Sequence, residues 1–375
     1  MKLVIDTEKL ADAAQWAMRA VPNVPSRPFL AGLRIEAAAD NTLTLSGFDY
    51  YRSARASEDC EVSEPGTLLV PGRVLTDIVR SFPKTKQTLL ALDGNDLALS
   101  CGTAHITLPT LPLDDYPTLP ELPAASGTVD GATLAAAGAR VAAAASTDDT
   151  LMVLTSVQFT LSDTEMTLSS TDRYRFHVAD LPWTPNKTVK GRGKTKALTA
   201  GSALVPADVV ADAARILADA DSAEITITEA QFALSVPGRW ATGGIIEGAL
   251  PKYGFPTEFE SVVTTGTEAL TDALKHITPL LDKTDPIVLD IADGQITVRA
   301  GTDDKGRGRD QVDAQLDGEP LTIAFNPGLL AKTLQQIDGP AVQMNFNGRD
   351  KPALMHAPEQ AGIFRGLLMP IRLNG

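Results

Sequence analysis

Leu69-Val70-Pro71-Gly72-Arg73-Val74-Leu75, Leu204-Val205-Pro206-Ala207-Asp208-Val209-Val210 and Ala324-Phe325-Asn326-Pro327-Gly328-Leu329-Leu330 are three versions of one pattern. Each is a short apolar strand, a proline, and the start of an amphipathic helix. The proline suits a first helical position, where the amide hydrogen it lacks would have had no partner. Apolar residues follow it at three and seven positions: Val74 and Ile78, Val209 and Ala213, Leu330 and Leu334. That spacing lies on one helix face. The prolines stand 135 and 121 residues apart, so the unit that repeats is the size of a domain.

Other pieces recur in the same order around this segment. A helical stretch opens each copy, at Thr7-Glu8-Lys9-Leu10, at Asp130-Gly131-Ala132-Thr133-Leu134 and at Thr267-Glu268-Ala269-Leu270, with Thr7 and Thr267 expected as N-caps. Alternating strand patterns follow, such as Thr42 to Ser46, Met166 to Ser169 and Gln295 to Arg299. After the proline helix come further strands: Leu97 to Leu108, Phe232 to Ile246 and Ala353 to Leu368. The reading is an α+β protein of three similar domains, residues 1–124, 125–258 and 259–375. Proline-marked connections, Pro117 to Ala125 and Pro251 to Phe259, separate them. Repeats of this length bury their own cores, which excludes a solenoid of short units.

Hydrophobic residues make up 43% and charged ones 21%, the balance of a soluble globular chain. No apolar run approaches the roughly 18 residues of a membrane span. Asp6 and Glu8 interrupt any signal-peptide pattern at the start, so a cytoplasmic location is expected. Cys60 and Cys101 are expected as reduced, partly buried thiols. The net charge is −14; each third carries 11 Lys and Arg against 16, 15 and 16 Asp and Glu. No third is a basic module, which disfavours tight non-specific binding to nucleic acid.

The chain offers little chemistry. His105, His177, His276 and His356 lack metal-ligand spacing, and no metalloprotease, paired-cysteine or nucleophile-elbow motif occurs. No catalytic residue, metal or cofactor is therefore expected. Gly193-Lys194-Thr195 resembles the end of a phosphate loop, but Thr188 stands where that motif needs glycine. The stretch with Lys187, Lys190, Arg192, Lys194 and Lys196 reads either as a solvated loop or as a phosphate contact. Thr171-Asp172-Arg173-Tyr174-Arg175-Phe176 reads as a hairpin turn with two arginines flanking a tyrosine. The ending Leu367-Leu368-Met369-Pro370-Ile371-Arg372-Leu373 is either a last core strand or one wall of a peptide groove, where methionine would supply adaptable apolar surface.

These residues carry a resemblance. The chain is similar along its whole length to the bacterial DNA polymerase III beta subunits, the sliding clamps. The marks are Leu69-Val70-Pro71-Gly72-Arg73 with Asp77-Ile78, Leu111-Pro112-Leu113-Asp114-Asp115-Tyr116-Pro117, Ser170 through Arg175, Ala324-Phe325-Asn326-Pro327, and Leu368 through Leu373. The resemblance implies the DNA clamp fold, with two helices on antiparallel sheets in each domain, and a ring closed by a head-to-tail homodimer. It implies a processivity factor without a catalytic site, which encircles double-stranded DNA irrespective of sequence. Its expected partners are the DNA polymerase III alpha subunit, the clamp loader and other proteins with clamp-binding motifs. A ring tethers by topology, which reconciles the acidic chain with work on DNA.

Carried over position by position, the resemblance implies a partner-peptide groove at Leu154, Thr171, Arg173, Tyr174, Arg175, Phe176, Pro251, Leu367, Met369, Pro370, Ile371 and Arg372, taking leucine and phenylalanine anchors. It implies DNA proximity for Arg27 and Arg73. It implies a dimer interface with Ile106 and Leu108 on one side and Ile277, Leu280 and Leu281 on the other. Two departures stand out. The connection Pro251 to Pro256 is shorter than the family pattern, and Ala207-Asp208 stands where a basic start to the helix is expected; Lys190, Arg192, Lys194 and Lys196 are candidates to supply that missing DNA contact. The short connection opens an alternative, a specialised second clamp whose altered groove resists a clamp-binding inhibitor.

Overall fold

The computed structural model describes residues 1–122, 124–187, 197–217, 220–282, 285–302 and 306–373, so Lys190, Arg192, Lys194 and Lys196 lie outside the described residues. The chain divides into two compact units. Each contains a long antiparallel sheet in which strands of successive repeats join.

The first unit comprises Met1–Gly131, Pro185–Thr199 and Asp219–Ile245. It holds helices α1 (Thr7–Ala17) and α2 (Gly72–Ser81). Its smaller sheet runs Glu61–Glu64, Lys2–Asp6, Gln87–Asp93, Asp96–Cys101, Ala104–Pro109, which leaves the last strand as an edge. Its larger sheet runs from Gly66–Pro71 through Gly32–Ala37 and Thr42–Phe48 to Arg52–Asp59. It then continues into the central repeat through Arg239–Gly244, Gln231–Val236 and Ala223–Ile227. The α1 helix packs on this join: Trp16 Nε1 donates to the carbonyls of Arg55 (2.8 Å) and Trp240 (3.2 Å). Gly47 permits the approach, because a Cβ there would lie 2.3 Å from the Ala17 carbonyl oxygen.

The second unit comprises Ala132–Thr184, Ala200–Ala218 and Ile246–Gly375. Helices α3 (Gly131–Ala142), α4 (Ala207–Leu217), α5 (Thr267–Ile277) and α6 (Pro327–Leu334) flank a sheet of twelve strands. In that sheet the central repeat's strands Ser156–Leu161, Glu165–Thr171 and Arg175–Pro182 lead directly into Phe364–Leu368 and the strands of the third repeat. The join is in register from Arg175 opposite Leu368 to Ala179 opposite Phe364.

Three local expectations are corrected. On α2 the buried stripe is Leu75, Thr76 and Val79, while Val74 is 46% exposed and Ile78 half-buried. Leu75 and Val79 share the same four-residue spacing as Val74 and Ile78, and contact with the sheet selects between the two frames. Val209 with Ala213, and Leu330 with Leu334, are buried as the spacing predicts. Pro71 and Pro206 close their strands and precede the helix, whereas Pro327 occupies the first helical turn, with the Asn326 side chain capping Leu329 N. Thr7 and Thr267 are the first helical residues and do not cap. The Thr7 hydroxyl instead bonds that of Thr88 at 2.8 Å inside the core.

Candidate functional site

Asp172 organises the turn between strands Glu165–Thr171 and Arg175–Pro182. Its Oδ1 accepts from the backbone amides of Tyr174 (3.0 Å) and Arg175 (2.7 Å). Its Oδ2 accepts from Arg175 Nε (3.0 Å) and Nη2 (2.8 Å). Thr171 Oγ1 donates to the Arg175 carbonyl and accepts from Arg173 N. These bonds hold Arg173 at φ 79°, a left-handed conformation that a non-glycine residue adopts when its surroundings impose it. Arg175 is thereby locked into the interior, while Arg173 and Tyr174 project outward. Arg175 is a structural member of the turn, and the exposed surface belongs to its neighbours.

Beyond the turn, Phe176 stands opposite Leu367 in the register. Both belong to an apolar cluster with Val178 and Leu354, against which Phe255 and Phe259 of the connection pack. Leu154 sits in a second cluster with Leu204 and Leu250, so it supports the connection just ahead of the exposed Pro251. The C-terminal segment is tied at both ends: Met369 N donates to the Tyr174 carbonyl (2.8 Å) and Ile371 N to that of Ala324 (2.7 Å). Met369, Pro370 and Ile371 remain half-buried and Arg372 exposed. The turn, the connection and the C-terminal segment frame a partly exposed apolar surface, called the recess below, with the exposed Arg173 and Arg372 beside it. Such a surface can hold apolar side chains of a peptide by burial.

The first unit contains the same framework with different contents. Phe48 through Arg52 repeat the turn: Asp49 Oδ1 accepts from Tyr51 N and Arg52 N, and Tyr50 has φ 76°. Gly244 N donates to the Tyr51 carbonyl as Met369 N does to that of Tyr174. Ser53 and Thr242, however, hold the places of Phe176 and Leu367, and their hydroxyls bond each other at 2.6 Å inside the core. A satisfied polar pair there offers no apolar recess.

Beneath the second turn His177 is wholly buried. Its Nδ1 bonds the Arg140 carbonyl (2.9 Å) and its Nε2 has no partner among the described residues. Burial pushes its pKa down to about 4, the Arg175 charge adds to this, and the Arg140 carbonyl opposes it. The imidazole is a neutral packing element at neutral pH.

The remaining predicted positions fall elsewhere. Arg27 and Arg73 are exposed, and Arg73 Nη2 donates to Asn23 Oδ1 (3.3 Å). Ile106 is half-buried on the edge strand Ala104–Pro109, whereas Leu108 belongs to the core. Ile277 is likewise buried, and Leu280 and Leu281 are half-buried. Cys60 and Cys101 are free thiols. Asp172, Tyr253 and Phe255 lie in the turn and the connection that the sequence singles out, but they are not among the side chains it assigns to the groove. The signal for Asp172 was available, because Asp49 stands at the matching place in the first repeat. For Tyr253 none was, since its contact with Met369 spans 116 residues.

Comparison with known proteins agrees with this architecture. Residues 1–120, 128–252 and 252–372 match the N-terminal, central and C-terminal domains of the DNA polymerase III beta subunit, respectively. The chain is 38% identical to the beta sliding clamp of Streptomyces coelicolor and 35% identical to the beta sliding clamp homolog GriR of Streptomyces muensis, in both cases over the whole of each chain. Among solved structures, a DnaN sliding clamp from Pseudomonas aeruginosa bound to griselimycin superposes with a TM-score of 0.89 at 22% identity, covering all of both chains. The clamp of Bacillus subtilis superposes at 0.88 and 21% identity, covering 100% of this chain and 99% of the other. Three repeats with joined sheets, matched domain by domain, place this chain in the DNA polymerase III beta subunit family, the beta sliding clamps.

Proposed function

We propose that the chain is the replicative clamp of its cell. Two copies close head to tail around double-stranded DNA and tether the polymerase, and the chain has no catalytic site of its own. Partners dock peptides in the recess formed by Phe176, Leu367, Met369 and Pro370. The carrying observation is the contrast between the two turns. Among the described residues the framework occurs twice, and an apolar cluster lines the copy where the central and third repeats meet. The domain limits are proposed near 124/125 and 258/259, close to the ends of the matched segments.

Two strand edges support ring closure. Ala104–Pro109 ends its sheet, and in Gly306–Gly318 the residues before Ala314 pair on one side only among the described residues. Unpaired edges recruit strands from other chains, and Ile106 and the Leu280–Leu281 pair lie half-buried beside them. Arg27 and Arg73 are proposed to touch phosphate weakly, so that the ring slides while topology retains it. A tethered polymerase then meets its template at high effective concentration. No helix among the described residues is long and apolar enough to cross a membrane, and the proposed place of work is the cytoplasm.

The deciding experiment measures mass in solution together with retention on circular and linear DNA after loading. A dimer that stays on nicked circles and slides off linearised DNA is expected. A monomer, or equal loss from both, would refute the reading. A specialised clamp with an altered groove is the second reading. The feature favouring it is the connection Pro251 to Pro256, which the resemblance suggests is short and in which Tyr253 lies against Met369. Titration with a leucine–phenylalanine peptide and with griselimycin separates the two: ordinary affinity for both removes the specialised clamp.

A further inference from the structure

Beneath the linker that joins the first and central repeats, the first unit holds a cavity of about 550 Å³. Its floor is a row across the larger sheet. The register sets Leu69, Arg34, Ser46, Arg55 and Trp240 side by side on successive strands, and Arg34, Arg55 and Trp240 line the cavity. The linker is pinned over this row: Leu111 N donates to the Leu69 carbonyl (2.7 Å), and Leu113, Tyr116 and Leu119 pack with Leu69 and Phe48. The second unit has the same row with other contents, Leu204, Gln158, Ser169, Val178 and Arg365. There it is closed. Gln158 Oε1 accepts from Leu250 N (3.1 Å), and Val178 belongs to the apolar cluster on which Phe255 packs. Arg365 is paired with Asp180 and lies 5.1 Å over the Phe255 ring. In the first unit Arg55 replaces Val178, and Ser57 stands in the place of Asp180, its hydroxyl bonded to that of Thr44 (3.0 Å). Arg55 is half-buried, and its guanidinium has no hydrogen-bond or ion-pair partner among the described residues. Arg34 donates to Glu36 (2.7 Å), and the buried Tyr116 hydroxyl has no partner among the described residues. The acid in the lining, Glu121, is exposed.

We propose that this cavity is a ligand site separate from the recess, and that it takes an apolar body carrying one carboxylate, on the scale of an acylated amino acid. The carboxylate supplies to Arg55 the partner that Asp180 supplies to Arg365 in the second unit. A guanidinium matches a carboxylate with two parallel N–H groups, so a single unpaired arginine calls for a single anionic group. Arg34 stands two strands from Arg55, about 10 Å between Cα atoms, close enough for both long side chains to turn toward one anion. The apolar body lies between Trp240 and the linker, where Leu119 and Pro120 line the roof. The volume falls within the range of ordinary small-molecule sites. The same row thus serves two ends: in the second unit the chain fills it with its own phenylalanine and aspartate, and in the first it leaves both places to a ligand.

The test is calorimetric titration of the full-length protein with N-acetylphenylalanine and with its uncharged amide. Wild type is expected to bind the acid about tenfold more tightly than the amide, the scale of one hydrogen-bonded charge. Arg55→Met, which keeps the stem and removes the charge, is expected to erase that preference, and Arg55→Lys to retain part of it. Glu121→Gln removes the competing acid and is expected to tighten the acid two- to threefold, a gain that misfolding cannot produce. Equal binding of acid and amide by wild type, or a preference that survives Arg55→Met, would overturn the proposal. So would loss of the preference in the double variant Met369→Ala, Pro370→Ala, which would put the acid in the recess. A hexapeptide ending in phenylalanine with a free carboxylate identifies the source of the ligand. Arg55-dependent binding of both probes admits chain ends, binding of the small acid alone restricts the site to free acids, and either result upholds it.

Discussion

Replacing Asp172 by Asn isolates what holds the turn that frames the recess. The carboxylate accepts two backbone amides on one oxygen and two guanidinium N–H groups on the other. Asparagine keeps a carbonyl for the amides but turns an amide donor toward Arg175, which cannot accept. The side chains of Arg175 and Asp172 are only 5% and 14% exposed, so the guanidinium would be left buried and unpaired. Removing one partner of a buried pair costs about 3–5 kcal/mol, and the retained amide bonds place Asp172→Asn at the lower end, about 3 kcal/mol. The comparator is Asp290→Asn. Asp290 also pairs with an arginine, Arg299, but at 36% and 49% exposure, where such a pair is worth under about 1 kcal/mol. Urea unfolding followed by circular dichroism reads both as shifts in midpoint at constant slope. Peptide affinity should fall only for Asp172→Asn, because the unpaired Arg175 guanidinium loosens the turn that presents Arg173 and Tyr174. If Asp172→Asn costs no more than Asp290→Asn, the turn is held by backbone pairing alone and the account is wrong.

Other expectations concern pH, DNA and assembly. The native pKa of His177, about 4, lies below its unfolded value of about 6.5, so the unfolded state binds the proton first as pH falls. Stability from this group is complete above pH of about 6.5 and lost progressively toward 4, by roughly 3 kcal/mol in all; His177→Leu should flatten that slope in acid titrations of unfolding. Arg27→Ala with Arg73→Ala should lower the salt dependence of DNA association by about two units of slope, since each phosphate contact contributes about 0.9. An unchanged slope removes both residues from the DNA path. Ile106→Asp puts a charge on a free strand edge and should yield monomers by light scattering; a persistent dimer would reassign the interface.

Much of this was legible in the sequence because the strand–proline–helix segment is local and repeated. Each copy carries its own apolar stripe, and three copies at domain spacing imply three domains without knowledge of any contact. The recess was legible through the Asp172–Arg173–Tyr174–Arg175 turn and the apolar C-terminal segment. What failed depends on distant partners. Val74 and Leu75 start equally good helical frames, and only the sheet beneath decides between them. Thr7 resembles a cap, but its hydroxyl finds Thr88 across the core. Leu108 and Ile277 are buried within the single chain, which their local pattern does not record. Tyr253 meets Met369 across 116 residues of chain, and no periodicity records that.

The hydroxyl pair of Ser53 and Thr242 has a consequence for stoichiometry. With that position filled by a satisfied polar contact, the first unit's copy of the turn lacks the apolar pair that stands beside the second unit's turn. If the proposed ring of two chains docks partners beside Phe176 and Leu367, that seat occurs twice per ring, and occupancy by two different proteins at once becomes a stoichiometry that a mass measurement of the loaded ring can count.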